Sequence, residues 1–286
     1  MALLLRPLSI GEMLDSAFGI YRDHFKLFAG IMVWPQLAIF AVSIGMFVIP
    51  AAVTSAGGDA ATTGAIALVG IMIYWPIMMA VQFAAYYTAQ AATTYAVSQV
   101  YLERSTTIGV SYAFIRSRFW AIMLVMVLSV VALFVGFLAF FIGALFAGLF
   151  FSLAIPVTVL EGRDAVESMK RSFYLVKDDL GRIFVIVILF GVLNLAVTYT
   201  VMIPAFVLIA ALSQHGQTPL WVNSLIYLGN FVSGCFVWPL LNIALSVAYY
   251  DERVRKEALD MQFMMAAIDR NAMAVAAATA GVTPSA

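Results

Sequence analysis

Four stretches without a single charged side chain, 27–58, 60–102, 119–160 and 183–250, account for most of this chain. Each exceeds the roughly 20 apolar residues that cross a bilayer core, and each is long enough for one span or two. With 64% hydrophobic and only 10% charged residues, such a chain has too little polar surface to hide its apolar side chains in water. The reading is an all-α integral membrane protein.

The charges set the number of spans. Arg6, Arg22 and Lys26 precede the first stretch, and Arg104, Arg116 and Arg118 follow the second. Arg163, Lys170, Arg171, Lys177 and Arg182 separate the third from the fourth, and Arg253, Arg255, Lys256 and Arg270 close the sequence. Lys and Arg concentrate on cytoplasmic flanks, so these clusters are expected on one face, and the chain must leave and return between them. The outer turns then fall at 51–63, between Gly136 and Gly143, and at 213–219, none with a Lys or Arg. Six transmembrane helices follow, at about 25–50, 64–101, 119–139, 142–160, 183–212 and 220–250. They pair as three hairpins with both termini cytoplasmic. The first apolar run is too long and too far from the start for a cleaved signal peptide, so none is expected.

An amphipathic segment stands before helices 1, 3 and 5, and each is expected to lie at the membrane interface. Ile10, Leu14, Phe18, Tyr21 and Phe25 keep helical spacing in the first, with Ser9 and Glu12 placed as a capping box. Ile108, Tyr112, Ile115 and Phe119 do so in the second, and Val166, Met169, Phe173, Val176 and Leu180 in the third, where Asp164 and Glu167 take the cap and third positions. Even-numbered helices end alike, in Tyr101-Leu102-Glu103-Arg104, Val159-Leu160-Glu161-Gly162-Arg163 and Tyr249-Tyr250-Asp251-Glu252-Arg253. The simplest organisation is one transmembrane domain, 1–260, built from a triplicated unit at 7–104, 105–163 and 164–253. Four-spaced opposite charges from Asp251 to Asp260 favour continuing the last helix past the membrane. Residues 261–286 finish that helix and form an Ala-rich tail expected to be poorly ordered.

The run Arg6-Pro7-Leu8-Ser9-Ile10-Gly11-Glu12 through Asp23-His24-Phe25 resembles the opening of the membrane domain named after bacterial glycerophosphoryl diester phosphodiesterases. Val159-Leu160-Glu161-Gly162 with the following Ala165–Phe173 segment is similar to that family's third joint, and Tyr249–Arg255 to its last-helix ending. The resemblance implies the architecture and a bacterial cytoplasmic membrane. In such phosphodiesterases the chemistry belongs to an attached soluble barrel with a His-Arg-Gly signature and a Glu-Asn or Glu-Asp pair, and this sequence carries neither. No enzymatic activity is therefore expected.

A direct search for chemistry agrees with that expectation. His24 and His215 lie on opposite sides of the expected topology and cannot share a metal with the lone Cys235, so neither metal nor cofactor is expected. No phosphate-cradling glycine loop or nucleophile elbow occurs, and no Asp, Glu or His sits mid-membrane as in proton relays. Fifteen acids balance fifteen bases, which removes bulk attraction for nucleic acid.

What the expected interior does hold is amides and hydroxyls. Gln82, Tyr86, Gln90, Thr94 and Ser98 recur at four-residue spacing on the second helix, opposite a ridge of Ala80, Ala84, Thr88, Ala92 and Ala96. Asn194 on the fifth helix, and Asn223 and Asn230 on the sixth, add further polar positions. Such groups either join helices or line a cavity. Pro35, Pro76, Pro156, Pro204 and Pro239 are expected to bend their helices. The function expected is an accessory or scaffold component acting through membrane lipids or through a membrane or cytoplasmic protein partner. The alternative is a small-solute or lipid permease whose polar surface is Gln82, Gln90, Asn194, Asn223 and Asn230.

Overall fold

In the computed structural model, residues 6–55, 60–138, 142–213 and 220–257 are described, and no strand occurs among them. Three short helices alternate with long ones. α1 (Ile10–Asp23) leads into α2 (Phe25–Ser55) and α3 (Ala60–Tyr101). α4 (Ile108–Arg116) leads into α5 (Phe119–Leu138) and a broken pair, α6 (Ile142–Phe150) and α7 (Ala154–Glu161). α8 (Ala165–Val176) leads into α9 (Leu180–Ser213) and α10 (Leu220–Glu257). Among the described residues six spans are long and apolar enough to cross a membrane, α6 and α7 together forming the fourth, so the chain is an all-α polytopic membrane protein.

The starts of the short helices follow from local chemistry. Ser9 and Glu12 cap each other reciprocally at α1, and Thr107 Oγ1 accepts the Val110 N–H at α4. At α8 Asp164 occupies the cap position, but its side chain makes no capping bond. α3 and α7 both end on a left-handed residue directly before an arginine, Glu103 with φ 54° and Gly162 with φ 71°. α10 instead stays helical to Glu257, as its four-spaced charges favour. α2 and α3 reach further into the expected 51–63 turn than its glycines suggested, because alanines there favour helix.

The unexpected feature is the break in the fourth span. Pro156 has no N–H, and its ring crowds the carbonyl of residue 152, so the helix opens at Phe151–Leu153. Three carbonyls at the break find other donors, as a low-dielectric setting favours. Ser172 Oγ on α8 donates to Phe150 O at 2.6 Å, the Ala154 N–H to Phe151 O at 3.1 Å, and Gln90 Nε2 on α3 to Ser152 O at 3.3 Å. Pro76, Pro204 and Pro239 sit inside continuous helices.

Packing is dense near the charged face and sparse towards the other. α10 is the centre: it packs on α9, α2, α1, α3, α8 and α7, and Ile243, Ala244, Val247, Ala248 and Tyr249 are buried. Buried residues on the other helices, such as Phe28, Ala92, Ala96, Ile122, Ile155 and Ile183, belong to the same core. Further out, Leu68, Met72, Phe134, Leu138, Val192 and Phe206 are exposed, as expected of side chains facing lipid.

The charged joints meet on one face, where two clusters of ion pairs tie them together. Asp251 accepts from the Leu8 N–H at 2.6 Å and lies 2.8 Å from Arg182 and 2.9 Å from Arg255. Both arginines also donate to Leu8 O. A second cluster centres on Glu161, which receives Arg163 at 2.6 Å, Arg171 at 3.2 Å and the Tyr249 hydroxyl at 3.0 Å. Lys256 reaches Asp178 at 2.9 Å, and its hydrogen bond and charge hold the Asp178 carboxyl below its usual range. The segment before α1, the joint before α8 and the end of α10 are thereby locked together.

Candidate functional site: a polar cavity between α2, α3 and α10

The sparse half of the bundle contains a cavity of about 730 Å³ framed by α2, α3 and α10. Helical periodicity brings its lining together. α2 contributes Met32, Gln36, Ile39 and Ser43, and α3 contributes Met78, Gln82, Tyr86 and Ala89. α10 contributes Tyr227, Asn230, Trp238 and Asn242, the last three on one face at four- and eight-residue intervals. From Met32 to Ser43 α2 advances ~16 Å, about half the thickness of a bilayer core.

Its chemistry is uncharged. Among the described residues the lining contains no Asp, Glu, Lys, Arg or His. Amides come from Gln36, Gln82, Asn230 and Asn242, hydroxyls from Ser43, Tyr86 and Tyr227, and flat apolar faces from Tyr86 and Trp238, whose rings meet edge-on at 5.4 Å. Gly234 lets the Gln36 amide lie directly against the α10 backbone, where a Cβ would push that amide aside. Ser43 donates to Ile39 O at 2.7 Å, which leaves its oxygen as an acceptor.

Asn242 is the exceptional member. Its side chain is fully buried at the edge of the cavity, yet neither its Oδ1 nor its Nδ2 has a hydrogen-bond partner. Leaving such an amide unpaired costs ~1–3 kcal/mol per group, so an isolated buried Asn is unfavourable unless something answers it. Its own backbone carbonyl is already used by Ser246 Oγ at 2.8 Å.

The residues singled out from sequence divide among different places. Gln82 and Asn230 line this cavity together. Gln90 is 2% exposed and lines a smaller cavity of about 310 Å³, where its amide donates to the carbonyl freed by Pro156. Thr94 pairs with Ser246 of α10 at 3.1 Å and so joins two helices, Ser98 donates back to Tyr95 O within α3, and of the four-spaced stripe only Gln82 and Tyr86 line the large cavity. Asn194 is half-buried on α9 and is absent from the lining of both cavities. The Asn223 side chain lies outside the described residues. Gln36 and Asn242 were not singled out, although the interval Asn230, Gly234, Trp238, Asn242 is a perfect four-residue series that marks one helix face.

Among the described residues no group of three His, Cys, Asp or Glu could hold a metal ion. No protein-family model, curated protein or solved structure matches the chain.

Proposed function

We propose that this protein is a membrane component without a catalytic centre of its own, which works by holding an uncharged amphiphile, a lipid or lipid-like solute with a hydroxyl- or amide-bearing head, between α2, α3 and α10. The observation that carries this reading is the unpaired, fully buried amide of Asn242 at a cavity wall. The amide is closed off from the cavity in this structure, and a shift of the lining side chains would let a ligand hydroxyl supply the missing partner. Gln36, Gln82 and Asn230 offer further hydrogen bonds, and Tyr86 and Trp238 offer faces for the apolar part. An ionic head is disfavoured, because the lining provides no counter-charge in a setting where a lone ion is costly. The clustering of basic joints supports a cytoplasmic placement of that face and of both termini. The likeness of the joints to the phosphodiesterase-associated membrane domain supports a bacterial cytoplasmic membrane.

One observation favours a second reading, in which the ligand moves through the protein. The large cavity shares the wall formed by Phe83, Tyr86 and Leu241 with the smaller one, which continues past Gln90, Ser129 and Ser152 to α6.

The test compares wild type with Asn242→Leu, extracted mildly and analysed by native mass spectrometry for retained neutral lipids. The expected result is a ligand held by wild type and depleted in the variant, together with an unfolding temperature of the empty protein equal to or above wild type, since an unpaired amide has been replaced by an apolar isostere. An unchanged lipid complement would remove the cavity from consideration as a binding site.

A further inference from the structure

A second recess lies between α5, α6 and α8, and its chemistry is opposite to that of the first. It encloses about 790 Å³ and is walled by Leu128, Val135, Phe146 and Phe150 from the two spans and by Val166 and Phe173 from α8. Gly136 and Gly143, where the α5 and α6 backbones touch, bound it on the side away from the charged face. Among the described lining residues only Lys170 is polar. α8 turns Ala165, Ser168, Ser172, Leu175 and Val176 into the core, which leaves Val166, Met169, Lys170 and Phe173 as one outward face at helical spacing.

The neighbouring cations are engaged and Lys170 is not. Arg163 and Arg171 bind Glu161, Arg182 binds Asp251, and Lys177 stands 5.3 Å from the Tyr174 ring. Lys170 makes no ion pair or hydrogen bond with any described residue, and its side chain is exposed. An apolar trough with one free ammonium at its mouth has the polarity of a phospholipid in reverse. Its tail wall, from Leu128 to Gly136, runs ~12 Å along α5.

We infer that this groove binds one anionic phospholipid, with its acyl chain against α5 and α6 and its phosphate at Lys170 Nζ. The site is separate from the uncharged cavity and stands whether or not that cavity holds a ligand. A soluble anion could meet the ammonium but would leave the trough unfilled, whereas a lipid fills both.

The experiment titrates the full chain in detergent with phosphatidylglycerol or phosphatidylcholine of identical acyl chains and counts retained lipid by native mass spectrometry. Expected is a preference for phosphatidylglycerol of about fivefold, what one cation near a membrane surface contributes. Lys170→Ala should abolish the preference, Lys170→Arg should keep it, and Lys177→Ala should leave it intact. Ala132→Trp, which fills the trough, should lower retention of both lipids. Unfolding temperatures within a degree or two of wild type for the Lys170 variants keep the comparison valid, as their exposed position leads one to expect. A preference that survives Lys170→Ala would overturn the proposal. So would displacement of the lipid by millimolar inorganic phosphate together with indifference to Ala132→Trp, which would mark a soluble-anion site. A photo-crosslinker at Phe173 that captures a protein in native membranes and no lipid would also overturn it.

Discussion

Asp251→Ala should be among the most damaging single substitutions in this protein. The carboxylate is 1% exposed and answers the Leu8 N–H, Arg182 and Arg255, whose side chains are 17% and 32% exposed. Truncation leaves Arg182 largely buried without its nearest counter-charge and releases the backbone ahead of α1. Removing one partner of a buried pair costs ~3–5 kcal/mol. At roughly 2–4 °C per kcal/mol, the unfolding temperature should fall by roughly 6–20 °C. Tryptophan-fluorescence melting in a fixed detergent, checked for monodispersity by size exclusion, reads the shift. Asp251→Asn keeps an acceptor for Leu8 while losing the charge, and should fall between wild type and Asp251→Ala. Arg22→Ala, which removes a pair 83% and 50% exposed, serves as the control and should lie within ~0.5 kcal/mol of wild type. If Asp251→Ala melts no lower than Arg22→Ala, the clamp does not join the two ends of the chain as described.

Gln90→Leu should orphan the Ser152 carbonyl and destabilise by ~1–3 kcal/mol, while Pro156→Ala restores a backbone donor, so a double-mutant cycle should show the Gln90→Leu cost shrinking in the alanine background. Gly143→Val would place a Cβ 2.5 Å from Gly136 O, and the overpacking should cost ~1–3 kcal/mol and separate α5 from α6, measurable as faster exchange of α6 amides. Bonds from the Ser9 backbone N–H and hydroxyl, and from Arg6, hold the Glu12 carboxyl below its usual range. Because the folded value is the lower one, its contribution is present at neutral pH and is lost as pH falls through that depressed value. Protection of the first-turn amides of α1, corrected for intrinsic exchange rates, should therefore collapse in acid, and Glu12→Gln should flatten this dependence.

The architecture was legible because its strongest signals are one-dimensional. Charge spacing alone placed six spans, and Ser9-Glu12 marked a helix start that the structure keeps, whereas Asp164 takes its cap position without a capping bond. The break at 151–153 was not legible, because five intramembrane prolines look alike in sequence and the carbonyls freed near Pro156 are met by Gln90 and Ser172, remote in the chain. The same remoteness divided the polar positions. Gln82 and Gln90 share a stripe, yet eight residues, ~12 Å along α3, carry one into the large cavity and the other onto a broken helix. Asn242 looked no different from Asn194, and only the placement of α2 and α3 around it makes its amide notable.

The helix at the centre of the packing is the last of those described to leave the ribosome. α10 contacts α1, α2, α3, α7, α8 and α9, and Leu8 must wait 243 residues for the carboxylate that clamps it. Earlier hairpins therefore enter the bilayer with their inner faces uncommitted, and assembly is dominated by late, non-local contacts, which slow folding and prolong the life of partly joined species. Synthesis halted before residue 220 should leave inserted but unassembled helices, the form that membrane proteases recognise.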